Sequence, residues 1–231
     1  MVAPLRVKSI LAAVAIALAP VLRADDPPPN ARELLKSVRV AQSAQNWKLS
    51  GRLRVGSRKL PFRLTLESGV IRYEFPDTGD TITLRLSEKS STLEETRGGK
   101  TARVTAAKFD APVRDTHISY EDLALRFLYW TDATVTGSDM IAAHRCWKVE
   151  VHPPTRKDSQ YNRVMLWIGK DDGALMKAES YDDAGKWARR FTVIGVMKRE
   201  GYWLLRQMRI ESAARASTSS PTYLEIEDVE K

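Results

Sequence analysis

The side chains best suited to chemistry in this 231-residue chain are three histidines, His117, His144 and His152, and one cysteine, Cys146. No histidines pair at metal-ligand spacing, and a lone cysteine cannot build a thiolate zinc site. Cys146 precedes Trp147, and no basic activator can be assigned to it, so it reads as a small, partly buried residue and not as a nucleophile. Gly99-Lys100-Thr101 resembles the end of a phosphate-binding loop. The position of that loop's first glycine is Glu94, however, and no helix follows. A Gly-x-Ser-x-Gly elbow is absent, and the acidic residues fall in turns and on polar strand faces. The expectation is a protein that is not an enzyme, with no catalytic residue, no metal and no cofactor.

Two arginines are harder to place. Arg206 is in phase with Tyr202, Leu204, Met208 and Ile210 on an alternating segment. An arginine on an apolar face needs a partner, because an unpaired buried charge is costly. Either Arg206 contacts an anionic head group or carbonyl at a cavity rim, or the opposite face, with Trp203 and Leu205, is the buried one. Arg163, between Tyr161 and Met165, poses the same choice.

The elements that would position these residues are mostly strands. Asn30 followed by Glu33 is a helix-start pattern, and Leu34, Leu35, Val38 and Ala41 then recur at helical spacing to a predicted end near Asn46. After that the period becomes two. Trp47, Leu49, Leu53 and Val55 alternate with polar residues, as do Leu60, Phe62, Leu64 and Leu66, then Ile71, Tyr73 and Phe75, then Ile82, Leu84 and Leu86. Gly56-Ser57, Ser68-Gly69 and Asp77-Thr78-Gly79 separate these runs, which favours an antiparallel meander with one face buried. Ser119 and Asp122 cap a second predicted helix whose Leu123, Phe127 and Trp130 form an apolar stripe. Strands resume with Trp147, Val149 and Val151, then Val164, Leu166 and Ile168, then Leu175–Tyr181. Long strands cover 186–198, with Phe191, and 202–211, and a last one covers 218–229.

The pattern predicts an α+β domain, mostly β. About eleven strands form a curled antiparallel sheet, an unclosed β-barrel with helices over the open side. A membrane barrel does not fit, because the polar faces carry Arg52, Arg54, Arg63 and Arg85. With 43% apolar residues the chain can bury a sizeable core. If a hollow remains inside, its lining would be Leu49, Leu53, Phe62, Leu64, Tyr73 and Leu84 from the first half. Trp147, Val149, Leu166, Phe191, Leu204 and Met208 would line it from the second.

Arg6 and Lys8, the apolar run Ile10–Ala19 and the small Ala24 have the layout of a secretory signal peptide over residues 1–24. Pro27-Pro28-Pro29 places a stiff spacer at 25–29, and residues 30–231 form one domain. Periplasmic export follows, with cleavage near Ala24 and no cysteine there for a lipid anchor. The net charge of +8 is spread along strands, so it reads as a solvated outer face or attraction to an acidic membrane surface, not a nucleic-acid site.

Several segments together resemble the outer-membrane lipoprotein-sorting family, the LolA-like proteins. They are Ile118-Ser119-Tyr120-Glu121-Asp122-Leu123, Cys146-Trp147-Lys148-Val149-Glu150-Val151, Tyr161 with Val164 and Leu166-Trp167-Ile168, and Met176-Lys177-Ala178-Glu179-Ser180-Tyr181-Asp182 with Gly185. The resemblance implies a helical lid over a hydrophobic cavity. It also implies a monomeric periplasmic carrier for the acyl chains of lipids or lipoproteins, with inner- and outer-membrane partner proteins. The alternative is an envelope interaction or sensor module with a filled core and no lipid.

Overall fold

The computed structural model describes residues 28–43, 46–155, 157–200, 202–215 and 220–230. The expected signal peptide (1–24) and the first part of the spacer (25–29) lie outside them. The first element is α1 (Ala31–Ser43). The Asn30 side chain caps it, accepting hydrogen bonds from the backbone N–H groups of Arg32 and Glu33 at 2.9 and 3.3 Å. Its buried face is Ala31, Leu35 and Val38. The expected stripe is therefore rotated, since Leu34 is half-buried and Ala41 exposed, and the helix ends before Asn46.

Six strands follow as a meander: β1 (Trp47–Val55), β2 (Arg58–Glu67), β3 (Val70–Phe75), β4 (Asp80–Leu86), β5 (Ser91–Arg97) and β6 (Lys100–Arg103). After a crossover at 104–131, seven more strands return. They are β7 (Asp132–Ile141), β8 (His144–His152), β9 (Arg163–Gly169), β10 (Leu175–Tyr181), β11 (Trp187–Arg199), β12 (Tyr202–Ser212) and β13 (Thr222–Glu230). All pairs are antiparallel, and β13 joins β1, so the order is β6-β5-β4-β3-β2-β1-β13-β12-β11-β10-β9-β8-β7. The outer strands β6 and β7 do not meet, so the sheet is one unclosed sheet of thirteen strands instead of about eleven.

The crossover shows that this sheet curls. Ser91 on β5 donates to the carbonyl of Ala124 at 2.5 Å, while Asp122, two residues earlier, lies 3.5 Å from Arg189 on β11. In a flat sheet β5 and β11 would be about 34 Å apart at ordinary strand spacing. A helical turn cannot span that, so the two halves bend toward each other around the crossover.

The crossover is not one lid helix. Helix α2 (Tyr120–Ala124) opens with a capping box in which Ser119 and Asp122 exchange hydrogen bonds, as the sequence suggested. Leu125 then turns left-handed at φ 50°, and a 3₁₀ turn covers Arg126–Tyr129. The predicted stripe is split by that break. Leu123 packs with β1–β5, whereas Phe127 and Trp130 pack with α1 and β8–β10. Two inner cores result, one beneath α2 and one beneath α1. A third small cluster of Cys146, Trp167, Met176 and Val193 completes the apolar packing. No described helix is long and apolar enough to cross a membrane.

Candidate functional site

The twelve candidate lining residues separate into two groups. Leu53, Phe62, Leu64, Leu84, Trp147, Val149 and Leu166 are buried, and they pack in the cores beneath the crossover and α1. Leu49, Tyr73, Phe191, Leu204 and Met208 remain half-buried. Tyr73 stacks edge-on to Phe62 at 6.1 Å, and burial pushes its hydroxyl up to about 12. The strand registers extend the half-buried set. Leu49 faces Val229, Met208 faces Leu224, and Leu204 faces Met197 across their respective ladders. Met197 and Val229 are themselves half-buried and packed against the core beneath α2. An apolar patch thus continues the inner core toward one end of β1, β12 and β13.

At that end the sheet splits. Strands β12 and β13 pair only from Gln207↔Glu225 to Ile210↔Thr222. Beyond this, β12 follows β11 to Tyr202, and β13 follows β1 toward Glu230. Between them opens a hollow of about 620 Å³ whose lining is mostly charged, with Arg52, Lys198, Arg199, Arg206, Gln207, Glu225 and Glu227 around the two apolar residues Met197 and Ile226. A bulge at Ser50/Gly51 bends β1 along the seam, and Gly51 is required there, because a Cβ would stand 2.1 Å from the carbonyl oxygen of Glu225. On the outer side Glu225 receives hydrogen bonds from Arg52 at 2.7 Å and Arg54 at 3.0 Å. Partial burial works to raise the Glu225 carboxyl, but these hydrogen bonds hold it below its ordinary range. A second hollow of about 350 Å³ lies at Asp132, His152 and Pro153-Pro154.

The two questioned arginines have different surroundings. Arg206 is exposed and shares its strand phase with Leu204 and Met208 at the cleft, and it makes no ion pair among the described residues. Of the opposite face, Trp203 is exposed and Leu205 half-buried. Arg163 bonds Glu150 at 2.8 Å and covers the Tyr181 ring at 4.2 Å. Its partners on the sheet surface therefore occupy it.

A polar lock that sequence reading missed fixes the crossover across the inner face. Asp122 accepts hydrogen bonds from the Ser119 N–H at 2.8 Å, the Ser119 hydroxyl at 2.6 Å and the Tyr161 hydroxyl at 2.7 Å. Arg189 Nε lies 3.5 Å away, and another Arg189 nitrogen donates to the His117 carbonyl at 2.9 Å. The His117 ring meets the Thr222 hydroxyl at 2.8 Å. Burial raises the Asp122 carboxyl, outweighing the opposing pull of Arg189, Ser119 and Tyr161. Neighbouring Glu121 is raised by the same cause, and among the described residues its Oε1 has no hydrogen-bond partner. One signal was available: Arg189 is in phase with Phe191, an arginine directed to the covered face.

Cys146 is buried and its thiol donates to the His144 carbonyl at 3.4 Å, while desolvation pushes it up to about 11. That is opposite to the change an attacking thiolate needs. His117 belongs to the lock, and His152 bonds Glu150 and the Asn162 carbonyl. Among the described residues no group of three or more His, Cys, Asp or Glu side chains is placed to hold a metal.

Comparison with known proteins agrees with this architecture. A family model described as "-like: Uncharacterized protein" matches residues 78–231. An outer membrane lipoprotein-sorting protein domain, described as putative, from Vibrio parahaemolyticus superposes with a TM-score of 0.68 at 15% identity, covering 87% of this chain and 91% of that one. A DUF1329 family protein from Desulfovibrio piger gives 0.65 at 16% identity over 87% and 93%. A LolA superfamily protein from Nitrosomonas europaea gives 0.61 at 15% identity over 88% and 94%. At these identities the likeness is one of fold. Among curated proteins no sequence matches.

Proposed function

The chain belongs to the LolA-like family, and from that premise we propose that it is a periplasmic carrier that binds the acyl chains of lipids or lipoproteins. One observation carries this reading. The inner apolar surface is sealed beneath α1 and the crossover, but at β1, β12 and β13 it stays half-exposed and meets the cleft. Leu49, Met197, Leu204, Met208 and Val229 would line the path of the chain, and the cleft would be its mouth. Burying apolar area yields roughly 25 cal/mol per Å², so a hydrocarbon tail gains most by covering the patch that the protein leaves open.

The function requires no catalytic residue, metal or cofactor. The lock of Asp122, Tyr161 and Arg189 has a positioning role, holding the crossover so that the sealed and open parts of the inner face stay distinct. Export by the expected signal peptide and work as a monomer belong to the same proposal.

The test is to purify the protein, extract it with organic solvent for mass spectrometry, and titrate the stripped protein with a fluorescent fatty acid. Recovery of lipid and saturable probe binding are expected. Failure of both would end the carrier reading in favour of an envelope interaction module. The observation on that side is the packing beneath α1, where Leu128, Val149, Val164, Leu166 and Ile168 are each 0% exposed.

A further inference from the structure

The β11–β12 hairpin extends beyond both neighbouring strands. The β10–β11 ladder ends at Lys177↔Thr192, and the β12–β13 ladder begins at Gln207↔Glu225. Between those points the two strands pair only with each other, down to Arg199↔Tyr202. The root of this arm is anchored, since Val196 and Leu205 pack near Met176 and Trp167, and Met197 packs against the core beneath α2. The tip is open. Trp203 is 61% exposed and Ile194 on the same arm is 45% exposed. Lys198 lies across the ladder from Trp203, with its Nζ 5.8 Å from the ring centroid. Arg199 and Arg206 are exposed and make no ion pair among the described residues.

We infer that this arm docks the protein on an anionic lipid surface. An exposed tryptophan is costly to leave in water, and its amphipathic ring is at home in the headgroup region. Lys198 stands beside the ring, and on the other face of the same arm Arg199 and Arg206 add two more positive charges, against Glu200 on the arm, complementary to a negative membrane surface. Elsewhere on the sheet surface several arginines are matched by acids, as in Arg52–Glu225, Arg85–Glu94 and Arg190–Glu179. The exposed Arg63 and Arg103, which have no such match among the described residues, do not adjoin an exposed tryptophan as the arm's basic residues do. The arm also forms one wall of the β12/β13 cleft, so docking sets that cleft against the lipid. The inference does not depend on acyl binding, because a protein with a filled interior could dock in the same way.

The experiment is co-sedimentation of the purified protein with vesicles of phosphatidylcholine alone or with one-third phosphatidylglycerol. Pelleting with the anionic vesicles, weakened by salt, is expected. Each neutralised basic residue lowers partitioning about fivefold, so Lys198→Gln with Arg199→Gln lowers it about 25-fold. Trp203→Phe removes most of the fluorescence quenching by brominated lipid. Both variants are at exposed positions and keep the parent's melting temperature. Three results overturn docking: no vesicle binding, equal binding to neutral and anionic vesicles, or unchanged binding by the variants. Loss of a stoichiometric envelope protein from the arm variants without vesicle binding also overturns it, in favour of a protein partner. Loss of probe binding alone counts against the carrier reading and leaves docking intact.

Discussion

Replacing Asp122 by alanine should release the crossover and cost more than any other single polar change in the inner face. The Asp122 side chain is 1% exposed and Arg189 is 13% exposed. Asp122→Ala deprives the Ser119 N–H, the Ser119 hydroxyl and the Tyr161 hydroxyl of their acceptor and leaves Arg189 without its carboxyl. Orphaned buried donors cost about 1–3 kcal/mol each, and breaking a buried charge pair about 3–5 kcal/mol. These penalties overlap, because water reaches some of the freed groups, so the expected loss is about 3–5 kcal/mol by the same bounds. Against a typical stability of about 5–15 kcal/mol this is severe. Tyr161→Phe removes one donor and leaves Asp122 with its others, for about 1 kcal/mol. Urea unfolding of both variants, of Arg189→Met and of the Asp122→Ala/Arg189→Met double variant completes the comparison. The double variant should be less destabilised than the sum of the two singles. A loss from Asp122→Ala no greater than that from Tyr161→Phe, or strict additivity with Arg189→Met, would refute the lock.

Gly51→Ala should destabilise by about 1–3 kcal/mol in thermal or urea unfolding, because its Cβ is driven into the backbone of β13 at the seam. Cys146 should resist a thiol-reactive dye in the native protein at mildly alkaline pH and react promptly in urea, since it is buried and its thiol is raised to about 11. Glu121 has a native carboxyl raised by burial above its ordinary 4.5. The folded state therefore holds this proton where the unfolded state releases it, and stability falls as pH rises from about that ordinary value through the native one. Glu121→Gln should flatten this part of the pH–stability curve, and an unchanged slope would show that another group is responsible.

Much of the fold is legible in the sequence because most strands have one face buried. Phe62 and Leu64 on β2, or Ile82 and Leu84 on β4, alternate with polar residues for that reason. Strand β7 is not legible. It is a sheet edge, exposed along most of its length, with a bulge between Val135 and Gly137. Its turn to β8 places Ala142 and Ala143 at φ 47° and 67°, without the Gly or Asn that usually marks such a turn. The crossover misleads in the opposite way. Leu123, Phe127 and Trp130 keep helical spacing, but Leu125 adopts a left-handed backbone with no glycine to signal it. The candidate site was partly visible. Alternation identified Leu49, Leu204 and Met208 as inward-facing, but half-burial depends on where the crossover stops, and that is a tertiary fact. Likewise Asp122 reads from sequence only as the partner of Ser119 at a helix start, and only the fold brings Tyr161 and Arg189 to it.

The central claim is that a hydrocarbon tail lies on the inner face between β1, β12 and β13. Photolabelling with a diazirine-bearing fatty acid, followed by peptide mapping, tests it directly. The account predicts saturable labelling of Met208, Leu204, Met197 and Leu49, displaced by unlabelled fatty acid. Labelling confined to exposed residues such as Trp203 or Met140, or labelling that fails to saturate, would contradict it.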